Sequence, residues 1–227
     1  MAESSPLHLA IIPDGNRRWA RGQGLFAWQG HERAVDNFRS ILDWCRENPR
    51  IGTLTIWGFS TENWKRDPDE IAKLMSLFEK FMRKELPRFE EHQTRFLHSG
   101  RTDRIPASLA EVIAEAQQKT SQYTDFTFHL AVDYGGKNEV VRAIQRLENP
   151  SAATEEAVHA ALDHPELPDI DIVLRTSGEQ RTSNFFLWQT AYAEWMFIQK
   201  HFPELISGDV EEALRVFDAR KRRFGGG

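Results

Sequence analysis

Short apolar runs alternate with longer stretches of helical spacing along this 227-residue chain. That alternation predicts an α/β protein, with a six-stranded, mostly parallel sheet flanked by helices. A second observation agrees with it. The polar and charged motifs fall directly after predicted strands, at the carboxyl ends where such sheets bind ligands. A third is size: 227 residues with 40% hydrophobic content suit a single domain, spanning 1–227, with one substantial core.

The elements follow in order. Leu7 to Ile12 reads as the first strand. From about Gly30 to Arg46, Val35, Phe38, Ile41, Leu42 and Cys45 recur at helical spacing. Ile51 to Phe59 is β-rich. A long helix is predicted from Pro68 to His92, with Ile71, Leu74, Met75, Phe78, Phe81, Met82, Leu86 and Phe89 on one broad face. Asp67 before Pro68 has the form of an N-cap with proline in the first helical position. Then come a strand at Arg95 to His98, a helix from Pro106 to Thr120, a strand at Phe126 to Val132 and a helix from Asn138 to Leu147. After the turn Glu148 to Ser151, the pattern predicts a short helix at Glu155 to Leu162 and strands at Ile170 to Leu174 and Trp195 to Ile198. The last predicted helix is Val210 to Arg220.

Composition excludes several classes. A formal charge of −5 argues against broad nucleic-acid binding, which needs a basic face. The single cysteine, Cys45, rules out a disulfide framework and is expected in the core. No apolar run approaches the roughly 20 residues of a spanning helix. The first six residues lack the basic and apolar regions of a signal peptide, so the expected compartment is the cytoplasm, with at most peripheral membrane contact. Gly-x-Ser-x-Gly, Gly-x-Gly-x-x-Gly and the Walker lysine motif are absent, so nucleotide cofactors are not indicated.

Four segments carry the chemistry. After the first strand comes Pro13-Asp14-Gly15-Asn16-Arg17-Arg18-Trp19. Its glycine permits a tight turn, its amides and Arg18 suit phosphate, and Asp14 fits if Mg²⁺ bridges it to phosphate oxygens. The plainer alternative is a polar turn with surface arginines. After the second strand comes Phe59-Ser60-Thr61-Glu62-Asn63-Trp64-Lys65-Arg66, either a polar site loop or a capping loop before the long helix. Arg175 to Asn184 follows a third strand; its two arginines and two serines suit a diphosphate. The tail Arg220 to Gly227 reads either as a frayed basic terminus or as a cover over an anionic ligand.

Taken together and in this order, these segments resemble the cis-prenyltransferases, the family of undecaprenyl diphosphate synthase. Gly30-His31, Asp133-Tyr134-Gly135-Gly136 and Arg223-Phe224-Gly225 extend the match to nearly the whole chain. The resemblance implies a six-stranded parallel sheet, an apolar tunnel between sheet and long helices, a homodimer, and Mg²⁺-dependent condensation of isopentenyl diphosphate with an allylic diphosphate. It implies that Asp14 and Glu194 hold Mg²⁺, and that Gly15, Asn16, Arg17, Arg18, Trp19 and His31 belong to the allylic diphosphate site. Ser60, Thr61, Asn63, Trp64 and Arg66 would order the acceptor and assist proton loss. Arg175, Arg181 and Ser183 would bind its diphosphate, with Arg223 and Gly225 reaching across the dimer. Two positions depart from the family pattern: Ala27 stands where an arginine is usual, and Ala34 where glycine is common. Strand alternation places Phe126 and Phe128 on one face, facing Phe78, Phe81 and Met82, where they are expected to floor the tunnel and shorten the product.

Overall fold

The computed structural model describes residues 5–220. Six strands form one sheet: β1 (Leu7–Ile12), β2 (Ile51–Ser60), β3 (Thr94–Ser99), β4 (Phe126–Tyr134), β5 (Ile172–Arg175) and β6 (Glu194–Phe197). Their order is β3-β4-β2-β1-β5-β6, and every pairing is parallel. The helices are α1 (Asn16–Gly22), α2 (Ala27–Glu47), α3 (Pro68–Glu91), α4 (Ala107–Thr120), α5 (Gly136–Arg146), α6 (Glu155–Ala160) and α7 (Ser207–Ala219).

Period-two alternation divides each strand between two faces. Leu9 and Ile11, Leu54 and Ile56, Phe126, Phe128 and Leu130, and Ile172 and Leu174 join one core cluster with the apolar faces of α2, α3, α4 and α7. The opposite face is smaller and mixed. Ala10, Ile12, Ala131 and Val173 meet Tyr134, Phe185 and Phe186 there, beside a buried polar track through His8, Thr55 and His129. Cys45 is buried in the main core, and burial raises its thiol far above the ordinary range, so it is inert.

The predicted elements are all present, with shifted ends. Asp67 caps α3 as expected, its carboxylate accepting from the amides of Asp69 and Glu70 at 2.9 and 3.3 Å. The elements not foreseen include α1 and the tight 3₁₀ turn Thr61–Lys65. Both are short and polar, so periodicity carries no signal for them. Helix α2 starts three residues before Gly30, because Gln29 Oε1 accepts from the Phe26 amide at 3.0 Å and closes the first turn. Strand β5 shifts toward the site, while β6 begins one residue earlier than predicted. Arg175 belongs to β5, while the Ile170 amide bonds Gln189 at 2.9 Å outside the ladder.

Candidate functional site at the carboxyl edge of the sheet

The carboxyl ends of β1, β2 and β5 open onto two adjoining polar clefts. At the end of β1, Gly15 adopts φ +95°, and a Cβ there would fall 1.8 Å from Ser177 Oγ and 2.5 Å from His201 Nδ1. Only glycine allows this turn. The backbone of Asp14 is fixed by its neighbours, with Thr176 Oγ1 and the Phe202 amide donating to its carbonyl at 2.7 and 3.1 Å. Its carboxylate accepts from the Gly15 amide at 2.8 Å and from Arg175 Nη2 at 3.0 Å. Arg175 is only 3% exposed; its other nitrogen donates to Ser183 Oγ at 2.9 Å and to the Arg181 carbonyl. Asp14, Arg175 and Ser183, 169 positions apart at the extremes of the sequence, therefore form one hydrogen-bonded unit.

The first cleft, about 320 Å³, is lined by Asp14, Gly15, Asn16, Arg17, Arg18, Arg21, His31 and Arg66. Glu70, from the first turn of α3, balances part of this charge. It lies 3.4 Å from Arg66, 3.7 Å from Arg17 and 3.7 Å from His31 Nε2. Burial, reinforced by Arg66 and then Arg17, lowers the His31 pKa to about 4, so its imidazole is neutral at pH 7. Asn16 Oδ1, Arg17 Nε, His31 Nε2 and Arg175 Nε are buried without a partner. Orphaned polar atoms clustered at a cleft are what a polar ligand would satisfy.

The second cleft, about 590 Å³, adds Ser60, Glu62, Asn63, Arg181, Ser183 and Asn184 to Asp14, Asn16 and Arg175. Asn63 Oδ1 accepts from the Ser60 amide at 3.2 Å, closing the turn. Asn184 ties three segments together: its Nδ2 donates to Glu62 at 3.1 Å, and its two oxygens accept from the Gly136 and Lys137 amides at 2.7 and 2.8 Å. Glu179 pairs with both Arg18, at 2.8 Å, and Arg181. Glu70 and Arg21 lie outside the segments that motif reading singled out, and Glu62, Glu179 and Asn184 lie inside them without an assigned role. Their signal was available only as carboxylates and an amide spaced among arginines, which also describes an ordinary surface.

Four expected members stand elsewhere. Trp19 lies on α1 and lines neither cleft, and Thr61 and Trp64 turn toward Gly135 and Asp133 instead. Glu194 departs most. It begins β6, opposite Ile172, whereas the site lies past Arg175, which pairs with Phe197. Three residues of strand rise put it roughly 10 Å back along the sheet, where it pairs with Arg220. Within one chain it does not meet Asp14. Arg223 and Gly225 lie outside the described residues.

An apolar cavity of about 70 Å³ opens from these clefts between α2, α3 and the sheet. Ala34, Val35, Phe38, Leu74, Leu77, Phe78 and Phe81 form its wall, and Pro13, Asn16, His31 and Gly58 form its polar mouth. Phe38 and Phe81 close the far end, with Phe128 behind them at ring distances of 5.2 and 6.3 Å. Phe126 and Phe128 do not line the cavity, so they are not its immediate floor. Alternation placed them on the correct face, but α2 interposes Phe38.

Among the described residues no group of three or more His, Cys, Asp or Glu side chains converges as a metal site. Asp14 nonetheless fits Mg²⁺, which binds through one or two carboxylates and completes its shell with water and phosphate oxygens. The chain matches the profile of the family described as "Putative undecaprenyl diphosphate synthase" over residues 12–225. It belongs to that prenyltransferase family. Undecaprenyl diphosphate synthase relatives include the geranylgeranyl-diphosphate-specific tritrans,polycis-undecaprenyl-diphosphate synthase of Thermococcus kodakarensis, 41% identical over 97% of this chain and 87% of the relative. Isoprenyl transferase 1 of Bradyrhizobium diazoefficiens is 38% identical over 99% and 92%. Among solved structures, lavandulyl diphosphate synthase from Lavandula x intermedia, in complex with dimethylallyl diphosphate, superposes with a TM-score of 0.90 at 33% identity, covering 97% of this chain and 98% of that one. No helix among the described residues of this prenyltransferase-family chain is long and apolar enough to cross a membrane.

Proposed function

We propose that this prenyltransferase condenses isopentenyl diphosphate with an allylic diphosphate, in a Mg²⁺-dependent reaction, to give a Z-polyprenyl diphosphate. One observation carries the reading: two cationic clefts meet at Asp14, and an apolar cavity leaves from the same mouth. That is the shape of two diphosphates sharing a reaction point, with a hydrocarbon tail drawn between α2 and α3.

The allylic diphosphate occupies the first cleft. Asn16, Arg18 and His31 line it, with Gly15 and Arg17 beside them, and its tail enters the cavity. The neutral His31 serves as a hydrogen-bonding group, not as a charge. The acceptor diphosphate sits in the second cleft on Arg175, Arg181 and Ser183. Arg175 is the best organised of these, because Asp14 and Ser183 already fix its fork. Bound Mg²⁺, held by Asp14 and diphosphate oxygens, would neutralise charge on the leaving group.

The chain's own residues supply the rest. Ionisation of the allylic C–O bond builds negative charge on the departing diphosphate, and fixed guanidiniums stabilise that charge without reorganising. Ser60, Asn63 and Arg66 hold the acceptor alkene against the allylic carbon, replacing a bimolecular encounter with a fixed one. They also orient the carbon that loses its proton. Thr61 and Trp64 support this turn from behind. Within one chain the metal is assigned to Asp14; Glu194, which pairs with Arg220 there, would join it only from the partner subunit. The working form is a homodimer in the cytoplasm, with Arg223 and Gly225 of one subunit completing the acceptor site of the other.

A second reading, irregular coupling of two small allylic diphosphates, is favoured by the likeness to lavandulyl diphosphate synthase and by Ala27. Incubation with isopentenyl diphosphate and each of several allylic donors, then sizing and stereochemical analysis of the products, separates them. Products from dimethylallyl diphosphate alone would favour the second reading. No product from any pair would overturn both.

A further inference from the structure

Asp133, the last but one residue of the buried strand β4, is in an unusual state. It is fully buried, and its backbone lies at φ +53°, a conformation that costs energy in any residue but glycine and marks sites where the surroundings enforce it. Its carboxylate accepts from Trp64 Nε1 at 2.8 Å. It also takes both arms of Arg104, one of them at 2.7 Å. The Arg104 guanidinium lies 5.7 Å from the centroid of the Trp64 ring, within range of a cation–π contact. On its other side Trp64 meets Phe59 edge-on at 5.1 Å. The loop that carries Arg104 is pressed onto β4. Gly100, at φ +126°, leaves no space for a Cβ, which would fall 2.1 Å from the Val132 carbonyl, and the Arg101 amide donates to the Asp133 carbonyl at 3.1 Å.

Trp64 belongs to the 3₁₀ turn Thr61–Lys65, in which side chains three apart eclipse. Thr61 and Trp64 therefore share one face, toward Gly135 and Asp133, while Asn63 and Arg66 share another, toward the cleft they line. Fixing the indole fixes the rotation of the whole turn. We propose that Asp133 and Arg104 are positioning residues for the acceptor step: they clamp Trp64 and thereby aim Asn63 and Arg66 at isopentenyl diphosphate. The proposal rests on the reading above that this turn orders the acceptor.

The competing role is plain structural support by an ion pair between the buried Asp133 and the exposed Arg104. Arg104→Gln alone would strand a buried carboxylate and destabilise the protein under either role. The informative variant is Asp133→Asn with Arg104→Gln, which removes both charges, keeps an amide oxygen for the indole and retains a residue type that tolerates positive φ. With saturating allylic donor, the clamp predicts a KM for isopentenyl diphosphate raised by about tenfold or more, the scale of a small misplacement at a reacting centre. The KM for the donor and the urea midpoint should stay near wild type. A second readout is the Trp64 fluorescence, taken as the difference between each protein and its Trp64→Phe derivative. Titration with isopentenyl diphosphate alone should perturb it at correspondingly higher concentration in the double variant. An unchanged acceptor KM, or equal increases for both substrates with lost stability, overturns the clamp. Asn63→Ala run in parallel separates the two layers. If it too leaves the kinetics unchanged, the turn's role itself fails; if it is impaired while the double variant is intact, only the clamp fails.

Discussion

Lowering the pH from 7 to 5 should destabilise this protein steeply, and the cause lies in its buried neutral histidines, His31 of the first cleft among them. His8 Nδ1 sits 2.8 Å from the Pro168 carbonyl and must donate to it. His8 Nε2 is then the acceptor for Thr55 Oγ1 at 2.7 Å; Thr55 in turn accepts from His129 Nδ1 at 3.0 Å, and His129 Nε2 accepts from Ser99 Oγ at 2.8 Å. The track is satisfied when both imidazoles are neutral and has no place for another proton. Burial lowers His8 and His98 from 6.5 to about 4 and pushes His129 well below its ordinary value. Because the folded pKa is the lower one, protons bind the unfolded chain first. Stability is therefore fully present above about pH 6.5, falls as pH drops through that value, and levels off near pH 4. A shift of roughly 2.5 units is worth about 3 kcal/mol per histidine, so His8 and His98 together remove about 6 kcal/mol, much of the stability of an ordinary domain. Urea unfolding at half-unit steps between pH 7.5 and 4.5 should show the midpoint falling at constant slope m. His98→Gln, which keeps a donor for the Val132 carbonyl that His98 Nε2 meets at 3.1 Å, should reduce the pH dependence near pH 5 by roughly 1.4 kcal/mol per unit. A stability flat from pH 7 to 5, or identical pH dependence in the variant, would refute the reasoning.

Asp14→Ala should retain the fold and lose nearly all Mg²⁺-dependent turnover; full activity would remove Asp14 from the metal. Arg175→Lys cannot reproduce the fork to Asp14 and Ser183, so the KM for isopentenyl diphosphate should rise about tenfold, the scale of one lost charged hydrogen bond. Steady-state kinetics in the acceptor checks this, and an unchanged KM counts against it. Phe81→Ala should lengthen the product while Phe126→Ala does not, since Phe81 lines the cavity and Phe126 does not; chain-length analysis of both variants decides between them. Gly58→Val should impair long donors more than short ones, because a bare Cβ already reaches 3.0 Å from the Phe78 ring at the cavity mouth. Equal kinetics with short and long donors would show that this mouth does not carry the tail.

The sheet was legible because its strands are apolar runs of the length that burial on both faces demands, bounded by polar turns. Its parallel sense followed from the helical patterns between those runs. The order of the strands was not legible, since neither propensity nor periodicity says that β1 lies between β2 and β5. Glu194 is assigned from the family resemblance and not from its place before the last strand. A residue just before a strand and one just after a strand look alike as sequence, but in a parallel sheet they lie at opposite edges. The missed counter-ions have a different cause. Glu70 reads as an ordinary first-turn acid on a helix, stabilised by the dipole, and only the approach of α1 and α2 brings Arg17 and His31 onto it. The expected floor at Phe126 failed for a third reason. Face and depth are separate properties, and period-two alternation supplies only the face.

The charge inventory of the clefts explains why a cation belongs to the proposed chemistry. Six guanidiniums line them: Arg17, Arg18, Arg21, Arg66, Arg175 and Arg181. Four carboxylates, Asp14, Glu62, Glu70 and Glu179, line the same clefts or pair with those arginines. The protein's own surplus is two positive charges, too few for two diphosphates held side by side. The carboxylates still serve a purpose, because they hold long side chains in one arrangement before substrate arrives and reduce the ordering cost of binding. A site with the same arginines and no acids would attract anions more strongly but would grip them with less defined geometry. Placing Asp14 at the junction resolves the conflict. Its one carboxylate orders Arg175 in the free protein, and it is also the group through which Mg²⁺ would add the missing positive charge between the two diphosphates.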